Sequence, residues 1–166
     1  MVQLNIEKPH PSWMAAIMDC EGWITIQKVK NVRGVGLCLT LGVGNTNPVL
    51  TQTLKDGFGG SVYETKRAPI QHKNYFTWRV FGNRALEILK YIEPFMILKQ
   101  SQAKLAIKFQ ETMHDKNSYN EPCTPEYIEQ MQAIKKEMGR LNRKGKDISP
   151  AETKRENTTL PLSGQE

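Results

Sequence analysis

Two acids, Asp19 and Glu21, close a short apolar stretch, Ser12-Trp-Met-Ala-Ala-Ile-Met-Asp-Cys-Glu21, just before Gly22. Ser12 is a fitting N-cap and Gly22 a fitting left-handed residue past a helix end. The stretch therefore predicts a compact, almost wholly buried helix over residues 12–21. Acids in the last turn of a helix face the negative end of its dipole, at a cost of a few tenths to about 1 kcal/mol each. Two acids there require a positive partner, either a Lys or Arg from elsewhere in the fold or a divalent cation, which prefers carboxylate oxygens. Acids two positions apart on a helix diverge by roughly 200°, so one chain offers such a cation one acid. Ala15, Ala16 and Gly22 are small enough for close packing on another helix. If that helix came from a second copy, a two-fold axis would group two copies of one acid, as two-metal phosphodiester cleavage needs.

Other reactive residues form no comparable grouping. Cys20, Cys38 and Cys123 are odd in number and widely spaced, with no C-x-x-C pair. They fit small thiols in a reducing compartment, not a zinc knuckle or a disulfide framework. His10, His72 and His114 are scattered, and no H-E-x-x-H occurs.

The elements that must position the acids follow from periodicity. Residues 23–30 alternate as a half-buried strand, Asn31-Val-Arg-Gly34 forms a turn, and residues 35–43 alternate strictly. Leu37, Leu39, Leu41 and Val43 face one way; Gly36, Cys38, Thr40 and Gly42 face the other. Asn45-Thr-Asn-Pro48 predicts a helix start, with the helix running to about Lys55 and stopping at Gly57. Residues 60–67 and 74–81 predict a second hairpin around a basic turn, with Phe76, Trp78 and Val80 inward and Tyr75, Thr77 and Arg79 outward. Asn83 is placed as the cap of a further helix that Pro94 ends. A long helix from Ile97 to about Met113 carries Leu98, Leu105, Phe109 and Met113 as its stripe, and Thr124-Pro125 opens a last helix reaching Leu141. The expected fold is α+β, with an αββαββα core in which helices cover one face of a four-stranded antiparallel sheet, plus extra C-terminal helices. One domain over residues 1–142 and a basic, polar, disordered tail over 143–166 are expected.

Composition suits this plan. The chain has 166 residues, of which 39% are hydrophobic, and 23 Lys plus Arg exceed 17 Asp plus Glu, giving a net charge of +6. A pI of about 9.2 is compatible with a polyanionic partner. Mean hydropathy is −0.53, and no apolar run reaches the roughly 20 residues of a spanning helix. The first residues lack a secretion-signal layout. The setting expected is cytoplasmic or nucleoid, or an organelle interior, with no membrane and no small-molecule substrate.

Met14-Ala-Ala-Ile-Met-Asp-Cys-Glu-Gly22, followed by Trp23-Ile-Thr-Ile26, resembles the motif of LAGLIDADG homing endonucleases. The helix–hairpin–helix–hairpin order is similar too. The stretch Glu93-Pro-Phe-Met-Ile-Leu-Lys-Gln-Ser-Gln-Ala-Lys-Leu105 resembles the family's PFL-xx-KxxQ segment. The resemblance spans residues 12–141. Because the motif occurs once, it implies the single-motif type: a homodimer that cuts a near-palindromic site in double-stranded DNA. Helix 12–21 would lie at the interface through Trp13, Ala15, Ala16 and Asp19.

Residue by residue, the resemblance implies that Glu21 binds the shared metals and that the Cys20 backbone carbonyl is a further ligand. Asp19 matches the motif's more structural acid. Asn45 falls beside the scissile phosphate and Lys99 on the active-site lysine. The metal implied is Mg2+ or another divalent cation such as Mn2+, while Ca2+ binds without supporting cleavage. A basic residue found in some members near the start of the second helix is here Val49. The saddle-shaped sheet would lie along the major groove, where alternate side chains of a strand reach base edges. Arg79 is placed on a guanine, with Thr25, Gln27, Arg33, Cys38, Thr40, Ser61, Tyr63, Thr65, Arg67, Tyr75 and Thr77 around it. Gly36 and Gly42 are expected to leave part of that face bare. Lys104, Lys108, Lys135, Lys136, Lys144 and Lys146 are expected at phosphates or in solvent. The competing expectation is the same fold without cleavage, as an intron-RNA maturase or a transcription regulator.

Overall fold

A computed structural model describes residues 8–31, 34–66, 74–115 and 124–143. Arg33 and Arg67, expected in turns, and the expected tail from residue 144, with Lys144 and Lys146, lie outside the described residues.

Helix α1 (Pro11–Cys20) is the first element among the described residues. Its N-cap is His10, not Ser12: the His10 ring accepts the Ser12 N–H at 3.3 Å, and Pro11 occupies the first helical position. Strands β1 (Gly22–Asn31) and β2 (Gly34–Asn45) pair as an antiparallel hairpin. Helix α2 (Pro48–Phe58) is capped by Asn47 and runs through Gly57, ending instead at Gly59, whose φ of 70° suits a residue without a Cβ. Strands β3 (Ser61–Thr65) and β4 (Tyr75–Phe81) form the second hairpin. The hairpins join through β2 and β4, giving one antiparallel sheet of order β1-β2-β4-β3. Helix α3 (Gly82–Ile92), a 3-10 turn (Glu93–Phe95), helix α4 (Gln100–Asp115) and helix α5 (Pro125–Leu141) complete the expected α+β fold.

The alternation in β2 decides which face packs. Cross-strand pairs Ile24–Leu41, Ile26–Leu39, Leu41–Val80 and Val43–Trp78 all point to the helical side and are buried. Trp78 is wholly buried, and its Nε1 donates to the Gly59 carbonyl at 2.7 Å. The indole thereby pins the end of α2 to the sheet, and its burial contributes on the order of 2–3 kcal/mol.

Two expected helix features differ. Asn83 lies inside α3, and its Oδ1 accepts from Gln110 of α4 at 3.1 Å instead of capping the helix. Ile97 and Leu98 precede α4 and are 84% and 71% exposed; the buried stripe of that helix is Ala103, Ala106 and Phe109. The expected stripe started one turn too early because Leu98 fits its spacing, whereas the backbone of 97–99 is held elsewhere, as described below. Among the described residues, no helix is long and apolar enough to cross a membrane.

Candidate active site and nucleic-acid face

Helix α1 has two faces. Met14, Ala15 and Met18 are buried against the core, while Trp13, Ala16, Cys20 and the following Glu21 are exposed and Ile17 is half-buried. The expectation of an almost wholly buried helix is thus corrected: residues 13, 16, 17 and 20 follow helical spacing along an open stripe. Of the four expected interface residues, Trp13 and Ala16 lie on that stripe. Ala15 belongs to the chain's own core, and Asp19 turns toward the segment before α4. Beside α1 stand three exposed apolar residues that sequence reasoning did not single out as a contact surface: Phe95, Ile97 and Leu98, at 46%, 84% and 71% exposure. Phe95 meets the His10 ring edge-on at 6.1 Å, which ties this knuckle to the start of α1. Their clustering in a short segment between helices was the available signal.

The acids separate as helical geometry requires. Asp19 accepts the backbone N–H groups of Ile97 and Leu98 on Oδ2 at 2.8 and 3.1 Å, and that of Lys99 on Oδ1 at 2.9 Å. It thus satisfies the donors of the segment that leads into α4, whose last residue, Lys99, stands just before the helix. The Lys99 ammonium reaches back to the Met18 carbonyl at 2.8 Å and to the Asp19 carbonyl. That cation sits at the C-terminal end of α1, where the dipole favours it. Of the two positive partners the sequence left open, the structure supplies a lysine for the end of α1.

Glu21 is the residue left over. It is the C-cap of α1, its N–H donates to Ile17 at 2.8 Å, and its carboxylate is exposed with no hydrogen-bond or ion-pair partner among the described residues. The Cys20 carbonyl is the terminal one of the helix, beyond the two that Lys99 occupies. Among the described residues, no three His, Cys, Asp or Glu side chains group to hold a metal. At the end of α1 a single chain therefore presents, among the described residues, the unpaired Glu21 carboxylate and one helix-terminal carbonyl, oxygen donors of the kind Mg2+ takes.

The sheet places this end. Gly22 pairs with Val43, so Glu21 enters β1 at the edge where β2 leaves through Asn45. Asn45 uses its Oδ1 to accept the Asn47 N–H at 2.9 Å, shaping the entry to α2. Val49, on the first turn of α2, is 67% exposed.

The uncovered sheet face carries the expected residues within the described range: Thr25 and Gln27 on β1, Cys38 and Thr40 on β2, Ser61, Tyr63 and Thr65 on β3, and Tyr75, Thr77 and Arg79 on β4. Two details correct the sequence picture, the burial of Thr40 and Thr77 and the cover on Gly42. Thr40 and Thr77 are 2% and 6% exposed, so they form the floor of that face and not its surface. The Thr40 hydroxyl has no partner among the described residues. Gly42 is not bare, because a Cβ there would collide with the Trp23 ring: the indole lies across it, as the Tyr75 phenol lies across Gly44. Lys104 pairs with Glu93 at 3.7 Å, while Lys135 and Lys136 line a groove of about 740 Å3 on the helical side with Lys28, Leu37 and Met131. Cys38 is half-buried, and burial pushes its thiol above the ordinary value despite a backbone hydrogen bond from Gly82 that pulls the other way.

No protein-family model matches the chain, and a search of curated proteins finds no relative. Solved structures share its fold. The homing endonuclease I-CvuI, in complex with the I-CreI target in 2 mM Mg, superposes with a TM-score of 0.64 at 20% identity, over 82% of this chain and 83% of that one. The archaeal intron-encoded homing endonuclease I-Vdi141I, complexed with DNA, gives 0.64 at 15% identity, over 81% and 85%. The LAGLIDADG homing endonuclease I-SmaMI, bound to cleaved DNA, gives 0.60 at 20% identity, over 81% of this chain but 45% of that longer one. The chain has the fold of LAGLIDADG homing endonucleases.

Proposed function

We propose that this protein is a site-specific, divalent-metal-dependent endonuclease for double-stranded DNA that works as a homodimer, and that it is a single-motif member of the LAGLIDADG family. The observation that carries the reading is Glu21: an exposed, unpartnered carboxylate at the end of a helix whose own open stripe is apolar. Trp13, Ala16, Ile17 and Cys20, with Phe95, Ile97 and Leu98 beside them, make a patch that a second copy would cover. Two-fold pairing of α1 sets two Glu21 carboxylates and two Cys20 carbonyls at one place, a donor set that a single chain lacks.

The chain's own groups then have distinct tasks. Glu21 and the Cys20 carbonyl would hold the cations; Mg2+ bound there would polarise a scissile phosphate and acidify a bound water. Lys99 holds the last turn of α1, fixing the backbone that carries both donors. Asp19 holds Lys99's own segment in return. Arg79 and the aromatic side chains of the open sheet face reach base edges in the major groove. Asn45 stands at the same sheet edge as Glu21, in reach of the backbone near the cut.

One observation favours the second reading, a non-cleaving nucleic-acid binder. Val49 sets an exposed apolar side chain near the start of α2, where some family members carry a basic residue.

The test is digestion of duplex DNA carrying sequences selected by binding, with Mg2+, with Ca2+ and with chelator. Double-strand cuts in Mg2+ alone, abolished in Glu21→Gln while binding survives, support the enzyme. Tight, selective binding with no cuts in any metal supports the second reading. A light-scattering mass near 19 kDa for the folded protein contradicts the dimer.

A further inference from the structure

One register row crosses the whole open face of the sheet: Trp23 on β1, Gly42 on β2, Arg79 on β4 and Ser61 on β3. In that row the Trp23 indole lies flat over Gly42, where any Cβ would collide with the ring. The Arg79 guanidinium carbon stands 5.9 Å from the centre of the Trp23 ring and 5.8 Å from that of Tyr63. These separations fall within the range of cation–π attraction. Among the described side chains of this face, Arg79 is the one charged group, so its pose governs the face's polar recognition.

An arginine has a long stem with several rotatable bonds, and an unbraced one on a basic protein binds any phosphate within reach. Bidentate recognition of a guanine edge instead needs the planar fork held in one orientation. Ordering a side chain before binding removes that cost from the complex. We propose that Trp23 is a positioning residue for base recognition: resting on Gly42, it braces Arg79 against Tyr63 so that the guanidinium meets a guanine edge in a fixed pose. Gly42 belongs to the same device, since it is the gap that lets the indole lie down. The inference rests on the proposed reading of this face as the DNA-binding one.

The test selects bound duplexes from a random double-stranded library with the full chain in Ca2+, comparing the parent with Arg79→Lys, Trp23→Leu and Gly42→Ala. The parent is expected to enrich a symmetric pair of guanines whose preference Arg79→Lys loses. Trp23→Leu and Gly42→Ala are expected to weaken the preference at those same positions, by roughly ten-fold. Their affinity for random duplex and its salt dependence stay at the parental level, because no charge changes. Gly42→Ala keeps the tryptophan and every charge, so its effect isolates the pose of the ring, and circular dichroism of each variant checks that the fold is retained. If Trp23→Leu and Gly42→Ala keep the guanine preference that Arg79→Lys loses, Arg79 reads without a brace and the inference falls while the DNA reading stands. If Arg79→Lys loses nothing, the inference also falls. A parent that enriches no sequence overturns the DNA reading itself, and the inference with it.

Discussion

Asp19 and Lys99 each cap the other's helix. The Asp19 carboxylate receives three backbone N–H groups from residues 97–99, and the Lys99 ammonium returns to the carbonyls that close α1. Each charge is misplaced for its own helix, the acid at a C-terminus and the cation at an N-terminus. Each is well placed for the other's. The exchange locks the end of α1, where Glu21 sits, to the start of α4, and it explains why Ile97 and Leu98 are held outside the helix with their side chains in solvent.

This lock has a stability consequence. Hydrogen bonds to a charged acceptor contribute about 1.5–3 kcal/mol, and losing an N-cap side chain costs about 0.5–2 kcal/mol. Asp19→Ala is therefore expected to lower unfolding free energy by about 2–3 kcal/mol, with Asp19→Asn losing less because it keeps one acceptor oxygen. Urea denaturation measures both. A loss below about 0.5 kcal/mol for the alanine variant, the scatter of ordinary surface substitutions, contradicts the account.

Lys99 separates positioning from binding. Lys99→Met keeps the aliphatic stem but frees the Met18 and Asp19 carbonyls, so the end of α1 loosens under Glu21. Cleavage is expected to fall by roughly ten- to a hundred-fold with DNA affinity within a few-fold of the parent. Single-turnover cutting and a binding titration read the two quantities. An affinity loss as large as the rate loss would make Lys99 a DNA contact instead.

Cys38 gives a pH signature. Burial holds its thiol up, so the folded chain keeps that proton at pH values where an unfolded cysteine has begun to lose it. Between those two pKa values the folded state binds more protons than the unfolded one, and stability contributed by the group falls as pH rises through that window. Below the ordinary cysteine value the contribution is fully present. Alkylation at pH 8 followed by mass spectrometry is expected to modify Cys38 more slowly than a free cysteine peptide; equal rates contradict the burial argument.

How much of this was legible in the sequence follows from the range of each signal. The β2 alternation needs only neighbours, and Leu39, Leu41 and Val43 are buried as read. The 200° divergence of Asp19 and Glu21 is also local, and it separated the acid that locks α4 from the exposed one. The partner of Asp19 was not legible, because the segment 97–99 comes 78 to 80 residues later in the chain. The cover on Gly42 was missed for a related reason: alternation says which face a glycine takes, not that a tryptophan on the next strand fills its gap. The burial of Ala15 and the exposure of Ala16 depend on how α1 is turned against the core, which the spacing of apolar residues in a ten-residue helix does not fix.

In the proposed dimer two Glu21 carboxylates make one active site. Co-expressing the parent with Glu21→Gln in varied ratios, so that protomers assort at random, tests it through the total rate of strand scission, nicks included, on a selected palindromic site. If both carboxylates are needed, activity follows the square of the parental fraction, so an equal mixture cuts at about one quarter of the parental rate. A linear fall, to about one half at equal mixture, would mean that each chain cuts with its own acid and would contradict the shared site.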